Sequence, residues 1–185
     1  MKISYDEAFY YKLLLQSGFN KEIDEFVNYI INNNEILDGI NLDFVIAYNL
    51  KENSLNEMIS CLHNYINNNK IDNRYVCDKL RMLIKNKVDN NEITLEDAGS
   101  ILSEFAYISE KKFEEYFNDL YDISIYMDYI DIGFINKEKY FKIVKDYLDT
   151  GVLYKTNSFW KNRNKKSKKN GFIKSFINRF HKNNK

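Results

Sequence analysis

Apolar residues recur along this chain at helical rather than strand spacing. Ala8, Phe9, Tyr11, Leu14 and Leu15 follow Ser4 and Glu7, a Ser-x-x-Glu capping box, and the pattern stops at Gly18, which predicts a helix from Ser4 to Ser17. Asn20 is in position to cap a second helix carrying Ile23, Phe26, Val27, Ile30 and Ile31, closed by the Asn run at 32–34. Asn41 opens a nearly all-apolar piece, Leu42, Phe44, Val45, Ile46 and Tyr48, which fits a buried helix or a buried strand; its helical neighbours favour a central helix. Ser54 and Glu57 repeat the capping box ahead of Met58, Ile59, Leu62, Tyr65 and Ile66, and Asp72 caps a segment with Tyr75, Val76, Leu80, Leu83 and Ile84.

After a polar connection at 87–92, Thr94 and Asp97 start a helix with Leu95, Ala98, Ile101, Leu102, Phe105 and Ala106. Ser109 is read as starting another, with Phe113, Tyr116, Phe117 and Leu120. Residues 121–135 are ambiguous: Ile123, Ile125 and Met127 alternate as in a strand, whereas Ile123, Tyr126, Met127 and Ile130 suit a helix, and we read a helix. Asn136 caps a last segment with Tyr140, Phe141, Val144, Tyr147 and Leu148, ended by Gly151. About eight short helices joined by short turns predict an all-α fold, an irregular antiparallel multi-helix bundle or short helical array. No repeat period is visible, so a regular solenoid has no support.

Composition changes this picture little. Proline is absent and there are only six glycines among 185 residues, but the preference for Asn, Lys, Ile, Tyr and Phe is also what an AT-rich genome produces, so helices rest on periodicity alone. No apolar run approaches the roughly 20 residues that cross a bilayer, and the first residues carry Asp6 and Glu7 where an export signal needs an apolar core. With two cysteines, reduced thiols and a cytoplasmic location are the expectation.

Charge changes it a good deal. The formal net charge is zero, with 27 basic and 27 acidic residues, yet no Asp or Glu occurs after Tyr154, where 11 of the basic residues lie. Residues 1–154 therefore hold 16 basic against 27 acidic residues, a balance of −11 facing +11 in residues 155–185. We read an acidic helical domain over 1–154 and a basic tail over 155–185. Within the tail, Phe172, Ile173, Phe176, Ile177 and Phe180 fall within an arc of about 140° at about 100° per residue, which predicts a basic amphipathic helix near 171–182.

A helix of about 12 residues is marginal alone in water. Docking on the acidic body, persistence as a solubilising tail, attachment to a membrane surface and a partner's groove all stay open. Lys165, Lys166, Lys168, Lys169, Phe172, Phe176 and Phe180 are the candidates for membrane or anion binding, at ~1 kcal/mol per Lys near an anionic leaflet. That alternative makes the chain a peripheral membrane or scaffold protein at the inner membrane face. Nucleic acid fits poorly, because arginines are few and Trp160 is the one Trp.

Candidate chemistry is sparse. Cys61, His63 and Cys77 are metal-ligand types, but residues i and i+2 on one helix point apart and no fourth ligand is apparent. No phosphate-cradling glycine loop and no Ser–His–acid arrangement occur, and no base or nucleophile can be named, so we expect a non-enzymatic protein without metal, cofactor or small-molecule substrate. Tyr116, Asp119, Tyr126, Asp128, Tyr129 and Asp131 lie close in sequence. They are either a solvated acidic helix face with partly buried tyrosines or a surface for a basic protein, with Tyr anchors inside a negative rim.

The succession of a helix, Gly18 and a helix, then Leu42-Asp43-Phe44-Val45-Ile46-Ala47-Tyr48, Leu55-Asn56-Glu57-Met58-Ile59-Ser60-Cys61-Leu62 and Leu95-Glu96-Asp97-Ala98-Gly99-Ser100-Ile101-Leu102-Ser103-Glu104-Phe105-Ala106-Tyr107, resembles a family of small all-helical bacterial proteins of unknown function. Similar helical families serve as immunity proteins in polymorphic toxin and contact-dependent inhibition systems. The resemblance spans residues 8 to about 135 and rests on hydrophobic spacing. It departs at Ala106-Tyr107-Ile108, where the pattern has a Tyr-Pro step, and leaves out the basic tail. It implies a protein partner, most concretely a basic, nuclease-like toxin bound by an acidic Tyr-bearing surface, and it transfers no functional residue.

Overall fold

The computed structural model describes residues 3–33, 39–50 and 54–153. The tail's candidate lysines and phenylalanines, the amphipathic helix near 171–182 and the boundary between 154 and 155 lie outside them. Among the described residues every regular element is a helix: α1 Tyr5–Gln16, α2 Asn20–Asn32, α3 Gly39–Tyr48, α4 Ser54–Ile66, α5 Asn73–Asp89, α6 Leu95–Ile108, α7 Phe117–Asp131 and α8 Lys137–Thr150. The all-α fold follows directly. None of these helices is long and apolar enough to cross a membrane.

The starts of four helices are fixed by side chains that satisfy otherwise unpaired backbone N–H groups. The Ser4 hydroxyl accepts from the Glu7 amide at 3.1 Å while the Glu7 carboxylate accepts from the Ser4 amide at 3.4 Å. Thr94 and Asp97 form the same reciprocal pair at the start of α6. Asp72 accepts from the Arg74 and Tyr75 amides ahead of α5, and Asn136 from the Lys139 amide ahead of α8. Gly18 and Gly151 close α1 and α8 at φ 75° and 70°, a left-handed backbone that costs glycine little.

Three expectations are corrected. Asn20 is the first residue of α2 rather than its cap; Phe19 holds the cap position without a side-chain bond, because the Gly18 turn already hands the chain on through Phe19 N–H to Leu14 O at 3.0 Å. Ser109 ends α6 instead of opening a helix: its amide donates to Phe105 O at 3.0 Å and its hydroxyl donates to Ala106 O at 2.9 Å. The chain then runs through a non-helical connection containing Glu110 and Tyr116 at φ 60° and 71°, and a single helix, α7, covers most of the segment that fitted strand or helix equally. The third concerns α3. It was expected at the centre, but packs on α4 and α2 at the edge, burying Ile40, Asn41, Phe44 and Ala47 while Ile46 stays 54% exposed.

The centre belongs to α1, which touches α2, α4, α5 and α6 and buries Ala8, Phe9, Tyr10, Leu13, Leu14 and Leu15. The other half of the core is the α6–α7 pair closed by α8. Here Gly99 permits a close crossing: a Cβ at this position would come within 2.9 Å of Tyr140 Cζ and 3.3 Å of Val144 Cγ2. Hydrophobic burial of this kind is the main stabilising contribution, at ~25 cal/mol per Å2 of apolar surface removed from water.

Candidate functional site

Helical geometry distributes the α7 candidates around the helix instead of gathering them on one face. Tyr126 is buried in the core, and Asp119 is turned toward α5 and α8, near enough to raise the pKa values of the Cys77 thiol and the Tyr147 phenol, both of which burial already pushes up. Asp128 and Asp131 are exposed. Tyr129, half-buried, meets Tyr126 edge-on at 6.2 Å and Phe134 at 6.0 Å. Tyr116, also half-buried, sits at the left-handed start of α7. Beside them is an aromatic cluster not singled out from sequence: Tyr107 and Phe113 meet Tyr121 edge-on at 5.5 and 5.8 Å, the Lys112 ammonium lies over all three rings, and Phe113 is 76% exposed.

A concave site lies elsewhere. The outer side of α1 is flanked by α2 and α5, leaving a cavity of about 480 Å3 lined by Glu7, Tyr10 and Tyr11 from α1, Glu22, Glu25, Phe26 and Tyr29 from α2, and Lys79 from α5. Its size is that of small-ligand and side-chain pockets in general. The helices place these side chains by period: 7, 10 and 11 on one face of α1, and 22, 25, 26 and 29 on one face of α2. Tyr11 stacks on Phe26 with ring centroids 3.8 Å apart and planes 15° from parallel.

The polar groups of the groove are held at two levels. Deep in the wall, Lys87 and Glu22 are 2.6 Å apart with side chains only 16% and 14% exposed, and Lys87 lies 5.6 Å from the Phe19 ring centre. Burial works against the Lys87 ammonium, yet the hydrogen bonds and charges of Glu22 and Glu92 together outweigh it and its pKa rises. Nearer the surface, Lys79 lies 3.5 Å from Glu7 and over the rings of Tyr10, Tyr75 and Tyr11 at 4.7, 5.5 and 5.8 Å. Glu25 meets Lys21 at 3.9 Å with both side chains largely in water. Burial, followed by the Glu22 carboxylate for Tyr10 and by Tyr10 and then Glu7 for Tyr11, pushes both phenols well above their ordinary range, so they present neutral rings and hydroxyls at physiological pH.

The arrangement suits recognition of a cation by ring faces and carboxylates. Cys61 is half-buried, its thiol pushed up to about 11 by burial and then by Asp43, while His63 is exposed with Lys12 3.5 Å from its Nδ1. A thiol raised in this way is a poor nucleophile at neutral pH. Among the described residues no three His, Cys, Asp or Glu side chains are placed to hold a metal ion. Compared with protein-family models, with curated proteins and with solved structures, the chain matches none.

Proposed function

We propose that the helical body is a non-enzymatic protein-binding module for a basic partner, and that its most concrete role is to neutralise a basic, nuclease-like toxin. The observation that carries this reading is the α1–α2–α5 groove, where Glu7, Glu22 and Glu25 are set among Tyr10, Tyr11, Phe26 and Tyr29. Aromatic side chains bring large contact area at low entropic cost, and carboxylates around them select positive charge and speed encounter. The −11 balance of residues 1–154 extends the same preference over the whole body.

The test is co-expression with the product of the neighbouring gene, reading complex formation by co-purification and neutralisation by growth. A stable complex with growth rescue is expected. Neither complex nor rescue would sink the proposal. A chain ending at Tyr154 keeps the complex if the bundle binds the partner; loss of the complex with the tail would move the binding function to residues 155–185.

A further inference from the structure

We infer that the groove is a receptor for one cationic head group, the guanidinium or ammonium of a partner's basic side chain, and that Lys79 is its internal placeholder, occupying the aromatic cage until that group displaces it. The inference rests on the basic-partner reading and names the anchor site within it.

Lys79 shows how a cation is held here. Its ammonium lies over three tyrosine rings, with the nearest centroid at 4.7 Å, and 3.5 Å from the Glu7 carboxylate. Aromatic faces with an adjacent carboxylate form the general recognition device for ammonium and guanidinium groups. The occupant is loosely held. The side chains of Lys79 and Glu7 are each 32% exposed, and Glu7 also accepts from the Ser4 amide in the α1 cap, so the carboxylate keeps a partner if the lysine leaves. Lys87 and Glu22, at 2.6 Å in the wall behind, are bound and buried tightly enough to be structural.

A volume of about 480 Å3 stays open in front of this cage, bordered by Phe26, Tyr29 and Glu25. An incoming guanidinium finds flat ring faces to stack on and, at the mouth, a carboxylate whose existing partner is one lysine at 3.9 Å in water, an exposed pair that exchanges readily. Three carboxylates disfavour an anion. Displacing Lys79 sends its ammonium into solvent on a flexible four-carbon stem, where hydration replaces what the rings supplied.

The experiment is an amide NMR titration of the full chain with agmatine, an alkyl guanidinium that also carries a terminal ammonium, and with N-butylurea as a neutral counterpart. Agmatine is expected to shift amides in residues 7–11 and 22–29, and N-butylurea to leave them unmoved. Lys79→Met removes the competing ammonium from the cage and tightens agmatine binding about tenfold. Lys79→Gln is the second variant should the first fold poorly, with unfolding midpoints checked for both. Lys12→Met, which removes a charge on another side of α1 near His63, changes binding less than about twofold if the effect is the cage and not net charge. Agmatine binding that is absent, equal in Lys79→Met, or matched by Lys12→Met overturns the inference. A partner complex that forms while agmatine stays silent overturns the inference and leaves the partner-binding reading standing.

Discussion

The α6–α7–α8 seam and the α1–α2–α5 groove are both built around tyrosines, and they treat them oppositely. In the seam, Tyr140 is 1% exposed, pressed against Gly99, and its hydroxyl has no hydrogen-bond partner among the described residues. In the groove, Tyr11 is part-exposed and faces Lys79 with Tyr10 beneath, and the exposed Tyr75 of α5 meets the same ammonium. The seam accepts an unsatisfied hydroxyl for close packing, while the groove gives up packing and keeps polar groups paired around open space. A buried hydroxyl without a partner costs about 1–3 kcal/mol, so it persists where packing repays it. The seam accordingly contributes stability, and the groove leaves open space for the proposed partner.

The largest expected effect breaks the seam. Gly99→Ala places a methyl group against the Tyr140 hydroxyl and ring, and overpacking of this kind costs about 1–3 kcal/mol, read as a lower urea midpoint. Tyr140→Phe removes both the obstructing oxygen and the unpaired hydroxyl. It raises stability by up to about 1 kcal/mol alone and recovers part of the Gly99→Ala loss in the double variant. Strictly additive effects would mean the two residues do not meet as described.

An alkaline titration probes both regions together. Burial raises the pKa values of Cys61 to about 11 and of Tyr140 to about 12, and lifts Cys77, Tyr10, Tyr11 and Tyr147 as well. Each of these groups is neutral when protonated and holds its proton more tightly when folded. Its contribution is complete below the unfolded value, 9.0 for Cys and 10.0 for Tyr, and is lost as pH rises toward the folded value. The urea midpoint should therefore decline steadily from about pH 9 upward. A midpoint flat to pH 11 would show that these groups are solvated in the folded protein.

How far sequence could see into either region depends on the range over which each is specified. Ser4 with Glu7, Asp72, Thr94 with Asp97 and Asn136 were readable as caps because the bonds they make span three residues or fewer. Ser109 was misread because a serine can serve either end of a helix, and here its hydroxyl found a carbonyl three residues back. α3 was placed at the centre on hydrophobicity alone, yet α1 took that position with side chains buried against four neighbours. Apolar content marks a helix as buried somewhere without ranking it against another equally apolar one. The groove was invisible for a related reason: Glu7, Glu22 and Lys79 meet from three helices, and no local pattern links them. For α7, proximity in sequence suggested one surface, and the helical period turned Tyr126 and Asp119 away from Asp128 and Asp131.

Glu22→Gln tests whether the groove's back wall is structural. It leaves the Lys87 ammonium, 16% exposed, with Glu92 at 3.3 Å as its remaining carboxylate, and should cost about 1–2 kcal/mol in the urea midpoint, less than the Gly99 change.

The smallest stability effect gives the sharpest comparison of surfaces. Glu25→Gln at the groove mouth and Asp128→Asn on α7 each remove one exposed carboxylate, and each should shift stability by less than about 0.5 kcal/mol. Both lower the body's negative charge equally, so any loss of long-range attraction to a basic partner is the same in the two variants. A difference between them in partner dissociation rate, measured at matched ionic strength, then reports a short-range contact made by one carboxylate and not the other. Faster dissociation with Glu25→Gln alone places the partner's cation in the groove, while faster dissociation with Asp128→Asn alone transfers the site to the α7 face and its Tyr107–Phe113–Tyr121 cluster.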